Sequence, residues 1–138
     1  MFASFPEHIA GYHVFRRLSM GIVLGFLPLT ILGQRQLVHV ALPAKQTVER
    51  QLVAPSGDFV ELCTSVQAGR VVTWRFEATA PLAFHTHFHV DGDVRAPESM
   101  SAVTAAQGRL ALKAASDYCW LWANRSAEAV TIRMLLRP

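Results

Sequence analysis

Three histidines alternate with other residues in one short segment, residues 83–90, which reads Ala-Phe-His-Thr-His-Phe-His-Val. In an extended strand, successive side chains point to opposite faces. His85, His87 and His89 therefore share one face of the predicted strand. The opposite, largely apolar face consists of Phe84, Thr86, Phe88 and Val90. Because imidazole is a ligand of zinc, copper and nickel, the segment predicts a strand with a core face and a candidate metal site opposite it.

Strand spacing limits how these histidines share an ion. Positions i and i+2 lie about 6.8 Å apart, and positions i and i+4 about 13.6 Å apart. Two neighbouring imidazoles can lean together to place nitrogens about 2.0–2.1 Å from one ion, but the third cannot reach it from a straight strand. A pair, His85/His87 or His87/His89, therefore needs further ligands. Asp91 continues the same parity and completes the predicted ligand set. More distant candidates are His39, Asp93 and Met100.

Several interpretations of the histidine row stay open at this point. In the first, the chain is a binding protein that holds copper or zinc, its only predicted cofactor. In the second, the histidines form the polar face of a half-buried strand, and the chain is a structural or protein-interaction module without a metal. A weaker hypothesis is a metal-dependent enzyme. Because the sequence shows no nucleophile elbow, phosphate-binding loop or catalytic carboxylate pair, we predict no catalytic residues and no enzyme.

Cys63 and Cys119 are the only cysteines. In an exported domain an even pair most often forms a disulfide, and closing a loop of this length stabilises a fold by about 4 kcal/mol in the chain-entropy model. We therefore predict a Cys63–Cys119 disulfide. The alternatives are a thiolate that joins the histidines as a metal ligand and a pair of free, buried thiols.

Tyr118, Trp120 and Trp122 occupy alternate positions of a predicted strand. An aromatic stripe at this spacing usually faces a core. If Cys119 and Leu121 face inward instead, the aromatics form a ligand wall on the outer face, beside the histidines.

The rest of the chain must supply the strands that position these residues. After residue 34, short β-prone runs are separated by turn signals about every 8–12 residues, a pattern typical of an antiparallel β-sandwich of about eight strands. Pro81 is predicted to separate a strand at residues 70–78 from the histidine strand. Asp91-Gly92 and Gln107-Gly108 are predicted hairpin turns, and residues 96–100 a loop.

Residues 1–35 are predicted to be a targeting segment ahead of one domain, residues 36–138. Arg16 and Arg17 precede an almost wholly apolar run at residues 18–33, the arrangement of an export signal. A cleaved signal peptide and an uncleaved membrane anchor both stay open, because the run is short for a span of about 20 residues and lacks a clean cleavage site. Either way, the domain is expected in the periplasm or outside the cell.

Composition and charge limit the classes of partner that the chain is expected to bind. The chain has 138 residues, a formal charge of +3 and 17% charged residues, enough for one domain with its own core. No basic run with interleaved aromatics is present, so we expect no nucleic-acid partner. The predicted partners are a metal ion or a protein, and the membrane if residues 1–35 stay attached.

Several segments resemble the GOLD domain, the β-sandwich of secretory-pathway cargo receptors and some lipid-binding proteins. The resemblance covers about residues 60–136 and rests on Cys63, residues 68–76, the histidine strand and residues 118–124. It is closest for small exported bacterial proteins with Ile-His-Tyr-His and Tyr-Cys-Trp-Trp-Asn segments. The resemblance implies a GOLD-like sandwich, a non-cytosolic location, and binding rather than catalysis. Cargo receptors continue into a coiled coil and a membrane span, whereas this sequence stops at Pro138, so a trafficking role is not implied.

Overall fold

The computed structural model describes residues 36–111 and 113–138, and all regular secondary structure in these ranges is β-strand. There are seven strands: β1 (Gln36–His39), β2 (Val48–Ala54), β3 (Phe59–Val66), β4 (Val71–Val90), β5 (Asp93–Ala111), β6 (Ser116–Ala123) and β7 (Val130–Arg137). The all-β prediction is confirmed. These ranges contain no helix of the length and apolarity that a membrane crossing needs. The predicted signal or anchor segment, residues 1–35, lies outside the described residues.

The strands form one curled sheet in the order β1-β3-β6-β4-β7-β2, with β5 paired to β4. Every described pair is antiparallel except β1 and β3, which are parallel, so the sheet is mixed. β4 joins the two halves, because residues 73–78 pair with β7 and residues 83–88 pair with β6. The curl lets the inner faces of both halves share one core, as in a sandwich.

Pro81 lies inside β4, so the prediction that it ends a strand was wrong. It falls between the segment that pairs with β7 and the segment that pairs with β6. The register with β5 also shifts between Glu77 and Leu82. Proline has no amide hydrogen and is tolerated where a ladder is interrupted. Pro81 therefore marks the change of partner within one 20-residue strand.

β5 is a 19-residue strand that includes two segments predicted otherwise. Residues 98–100, part of the predicted loop, pair with β4 near the histidines. Gln107 and Gly108, predicted as a turn, lie within the strand, with Gly108 opposite Trp74. A Cβ on Gly108 would stand 2.5 Å from the indole ring of Trp74. The glycine is therefore explained by a close packing contact and not by a turn.

Aromatic rings from both halves of the sheet meet in the core. Phe76 lies 4.8 Å from Phe84 and 5.4 Å edge-on from Trp122, measured between ring centroids. Such pairs add about 0.5–1.5 kcal/mol beyond the burial of their area. The other largest fully buried side chains are Trp120, Leu62, Leu82, Ile132, Met134 and Leu136. This core fixes the second part of β4 against β6, and with it the histidines on the opposite face.

Candidate metal-binding site

The three histidines lie on the outer face of the sheet, as the alternation predicts. Phe84 and Thr86, on the inner face, are each 1% exposed. Along the outer row His85 is half-buried, His87 is buried and His89 is exposed. The ring centroids of His85 and His87 are 5.3 Å apart, and those of His87 and His89 are 5.6 Å apart. His87 is thus the enclosed centre of the row.

A disulfide lies beside His87 on the same face. His87 pairs with Cys119 of β6, and Cys119 pairs with Cys63 of β3. Directly paired residues have neighbouring side chains on one face of the sheet. Cys63 and Cys119 form the predicted disulfide, with a Cα–Cα distance of 4.1 Å. Both cysteines are buried, so a solvent-shielded disulfide lies next to the imidazole of His87.

Glu61 of β3 reaches the same place. Its Oε1 lies 2.9 Å from Nε2 of His87, and the two side chains are 17% and 11% exposed. This contact joins an imidazole nitrogen and a carboxylate oxygen at ion-pair distance. Within the described residues, Nδ1 of His87 is buried and has no hydrogen-bond partner.

Burial lowers the pKa of His87, because desolvation disfavours the charged imidazolium. The charge of Glu61 opposes this effect, whereas His85 and His89 add to it. The net direction is downward from the ordinary value of 6.5. His87 is therefore uncharged at neutral pH, the form in which imidazole binds a metal.

Glu61 is the site residue that sequence reasoning missed. It stands two positions before Cys63, and so on the same face of β3. The predicted disulfide could have placed Glu61 near Cys119, because pairing Cys63 with Cys119 sets the register of β3 against β6. The sequence did not show that β4, with His87, lies on the other side of β6; only the order of strands in the sheet shows this.

Three donor atoms already lie close together. The ligand atoms of Glu61, His87 and Cys119 are all within 4.8 Å of one another. In the disulfide, however, the sulfur of Cys119 lacks the negative charge of a thiolate, the form that ligates metals. The oxidised site therefore offers Glu61 and His87 as its central pair and needs another ligand.

His85 is better placed than His89 to complete the set. His85 pairs with Leu121, which pairs with Glu61, so His85 and Glu61 share one row across the strands. Two imidazoles on one tetrahedral ion, each with a metal–nitrogen distance of about 2.0–2.1 Å, have ring centroids roughly 5 Å apart. The separation of 5.3 Å between His85 and His87 fits this requirement, but the ligand atoms of His85 lie outside the 4.8 Å cluster, so its side chain would have to turn toward Glu61 to join the set.

The other predicted ligands lie elsewhere. Asp91 occupies the two-residue turn between β4 and β5, where its φ of 52° ends the alternation of the strand. The predicted Asp91-Gly92 turn is therefore present, but Asp91 does not continue the histidine row. Asp93 begins β5 just beyond the turn. Met100 pairs with Phe84 and packs against the core. His39 lies on exposed β1, aligned with Cys63.

The aromatic stripe of β6 faces inward. Trp120 and Trp122 are fully buried in the core. Tyr118 is 4% exposed and stacks on Phe88, with ring centroids 4.8 Å apart. These two rings border an open groove of about 900 Å³, whose wall also includes Glu98. The aromatics therefore do not line the outer face beside the histidines. Cys119 and Leu121 occupy that face, opposite His87 and His85.

Comparisons with known proteins bear on the fold. No protein-family model and no curated protein matches the sequence. The chain is similar to the pre-peptidase C-terminal domain of a Bacillus anthracis collagenase, with 10% identity and a TM-score of 0.51 over 76% of this chain and 98% of that chain. This likeness shows a shared β-sandwich-like fold and nothing specific to the GOLD domain, so that resemblance stays a prediction.

Two further solved structures align less well. PliG from Aeromonas hydrophila, a periplasmic lysozyme inhibitor of g-type lysozyme, aligns with 14% identity and a TM-score of 0.46 over 75% of this chain and 98% of that chain. PliG from Salmonella Typhimurium aligns with 12% identity and a TM-score of 0.49 over the same shares.

Proposed function

We propose that this chain is an exported binding protein that holds a transition metal ion, zinc or copper(II), between Glu61, His85 and His87. The observation that carries the proposal is the 2.9 Å contact between the carboxylate of Glu61 and Nε2 of His87. The pair is largely buried, and a second imidazole stands 5.3 Å from the ring of His87. With the proton of the neutral ring on Nδ1, both Nε2 of His87 and the carboxylate of Glu61 would offer lone pairs to the ion.

The chemistry of this donor set favours borderline divalent ions. Two imidazoles and a carboxylate suit zinc, copper(II) and nickel(II) better than calcium or magnesium, which prefer oxygen ligands. The lowered pKa of His87 supports binding, because the ion does not have to displace a proton from a charged ring. An oxidising compartment is supported by the Cys63–Cys119 disulfide, since such bonds persist outside the cytosol.

Calorimetry on the disulfide-bonded chain tests the proposal. The protein is purified without a histidine tag, stripped of metal, and titrated with zinc and with copper(II). We expect one ion per chain, and at least about tenfold weaker binding for His87→Ala and for Glu61→Gln. Glu49→Gln is the matched control for Glu61→Gln, because Glu49 is an exposed carboxylate on β2, at the opposite end of the strand order from β1 and β3. A dissociation constant weaker than about 100 μM, or one unchanged by His87→Ala, contradicts the proposal.

A protein-interaction module is the second candidate, and β5 favours it. Among the seven described strands, β5 pairs with β4 alone, and most of its 19 residues are exposed. A free strand edge is a template for an added strand from a partner protein. Capture of a partner that Thr104→Pro abolishes and His87→Ala leaves intact would favour this function over metal binding.

A further inference from the structure

We propose that the Cys63–Cys119 disulfide is a redox switch of the metal site, and that after reduction the thiolate of Cys119 binds the ion together with His87 and Glu61. This inference rests on the proposed function. It adds a second state to the site, in which sulfur joins the nitrogen and oxygen ligands.

The geometry places both sulfurs against the site. Cys119 pairs with His87, and its sulfur lies within 4.8 Å of the ligand atoms of His87 and Glu61. The sulfur of Cys63 lies 3.6 Å from Oε1 of Glu61. A disulfide sulfur carries no proton, so the latter is a contact and not a hydrogen bond. Reduction would thus create two thiols beside an existing imidazole–carboxylate pair.

The sheet keeps the thiols in place once the bond is broken. The disulfide joins β3 to β6, and these strands are paired along their whole length, from Phe59 with Ala123 to Val66 with Ser116. The hydrogen bonds of this ladder do not depend on the S–S bond. Cys63 and Cys119 therefore remain directly opposite each other in the reduced protein.

The redox step balances with an external dithiol. One thiolate of the dithiol attacks a sulfur of the bridge, which forms a mixed disulfide and releases one cysteine. The second thiol then displaces the other cysteine, and the reagent leaves as its own disulfide. The protein gains two electrons and two protons. Metal binding then releases the thiol proton of Cys119, because the thiolate is the ligating form.

The two states differ in the ions they prefer. Thiolates favour zinc and copper(I), whereas the oxidised set of imidazole and carboxylate favours zinc and copper(II). We expect the reduced protein to bind zinc at least about tenfold more tightly than the oxidised protein, because a charged sulfur ligand is added. By linkage, tenfold tighter binding raises the midpoint potential of the cysteine pair by about 30 mV in saturating zinc.

Cobalt(II) is the probe, since thiolate ligation gives a sulfur-to-cobalt charge-transfer absorption that imidazole and carboxylate do not. The full chain is measured oxidised and after reduction with a phosphine, which leaves no competing thiol. We expect the absorption only in the reduced protein, and its loss on addition of zinc. Zinc titration of both states measures the ratio of affinities.

Two variants form a matched pair. Cys63→Ser and Cys119→Ser both remove the disulfide, but only Cys63→Ser keeps the thiol of Cys119. We expect the charge-transfer band without reductant in Cys63→Ser and a much weaker band in Cys119→Ser. Circular dichroism checks that each variant is folded, and reduced wild-type protein gives the same answer if one is not.

The outcomes separate this inference from the proposed function. Metal binding that is equal in the two redox states, with no sulfur band, overturns the switch and leaves the imidazole–carboxylate site standing. Binding in the reduced state alone overturns the proposed oxidised site and supports the sulfur ligand. No binding in either state overturns both.

Discussion

Replacing Gly108 with alanine tests how closely β5 packs onto the core behind the histidines. The new Cβ would stand 2.5 Å, 2.7 Å and 2.9 Å from three atoms of the Trp74 indole. Trp74 is 2% exposed, and its ring centroid lies 5.1 Å from that of Phe84, so the indole has little room to move. Phe84 directly precedes His85 in β4.

Two opposing effects set the expected change in the free energy of unfolding. Inserting a methyl group into a packed core costs about 1–3 kcal/mol. Replacing glycine by alanine also restricts the unfolded chain, which stabilises the fold by about 0.4–1 kcal/mol. We expect Gly108→Ala to lower the free energy of unfolding by about 1–2 kcal/mol. For a domain of this size each kcal/mol lowers Tm by about 4–8 °C.

Urea denaturation and thermal melts of the full chain measure the change. Gln107→Ala is the matched control, because Gln107 is the exposed neighbour in the same strand, and we expect its effect to stay within about 0.5 kcal/mol. Trp74→Phe combined with Gly108→Ala should destabilise less than the sum of the two single changes, since phenylalanine lacks the second ring of the indole. A Gly108→Ala variant as stable as the wild type, or strictly additive changes, would refute the packing argument.

Three further predictions concern stability. Burial raises the pKa of Glu98 above 4.5, so the folded state keeps this proton to higher pH than the unfolded state, and stability is lost as the pH rises through the folded pKa. Glu98→Gln should therefore gain Tm over the wild type from pH 4 to 7; parallel curves would contradict this. Reducing the disulfide, which spans 56 residues, should lower the free energy of unfolding by about 4 kcal/mol in the chain-entropy model, and urea titration that shows no change would reject that value. Asn124→Ala should cost about 1–3 kcal/mol, because the buried amide donates to two backbone carbonyls; Arg125→Ala, at the exposed neighbouring position, serves as the control in the same denaturation series.

The predictions that succeeded depend on neighbours in sequence. The positive φ values at Asp91 and Gly92 suit the residues that form the predicted turn. The predictions that failed concern residues whose environment is set by another strand. Pro81 ends no strand because β4 changes partner there, and Gly108 forms no turn because its small size accommodates Trp74.

The sequence by itself determined the two faces of the histidine strand, because side-chain alternation is a local property of an extended backbone. It also indicated the cysteine pair, since two cysteines allow only one intramolecular bridge. Only the tertiary structure decided which groups meet His87. Glu61 lies 26 positions earlier in the chain and reaches the imidazole because β6 is inserted between β3 and β4 in the sheet. That order depends on the packing of a shared core, which no single segment specifies. The candidate site therefore depends on side-chain alternation within β4 and on the order β3-β6-β4 in the sheet.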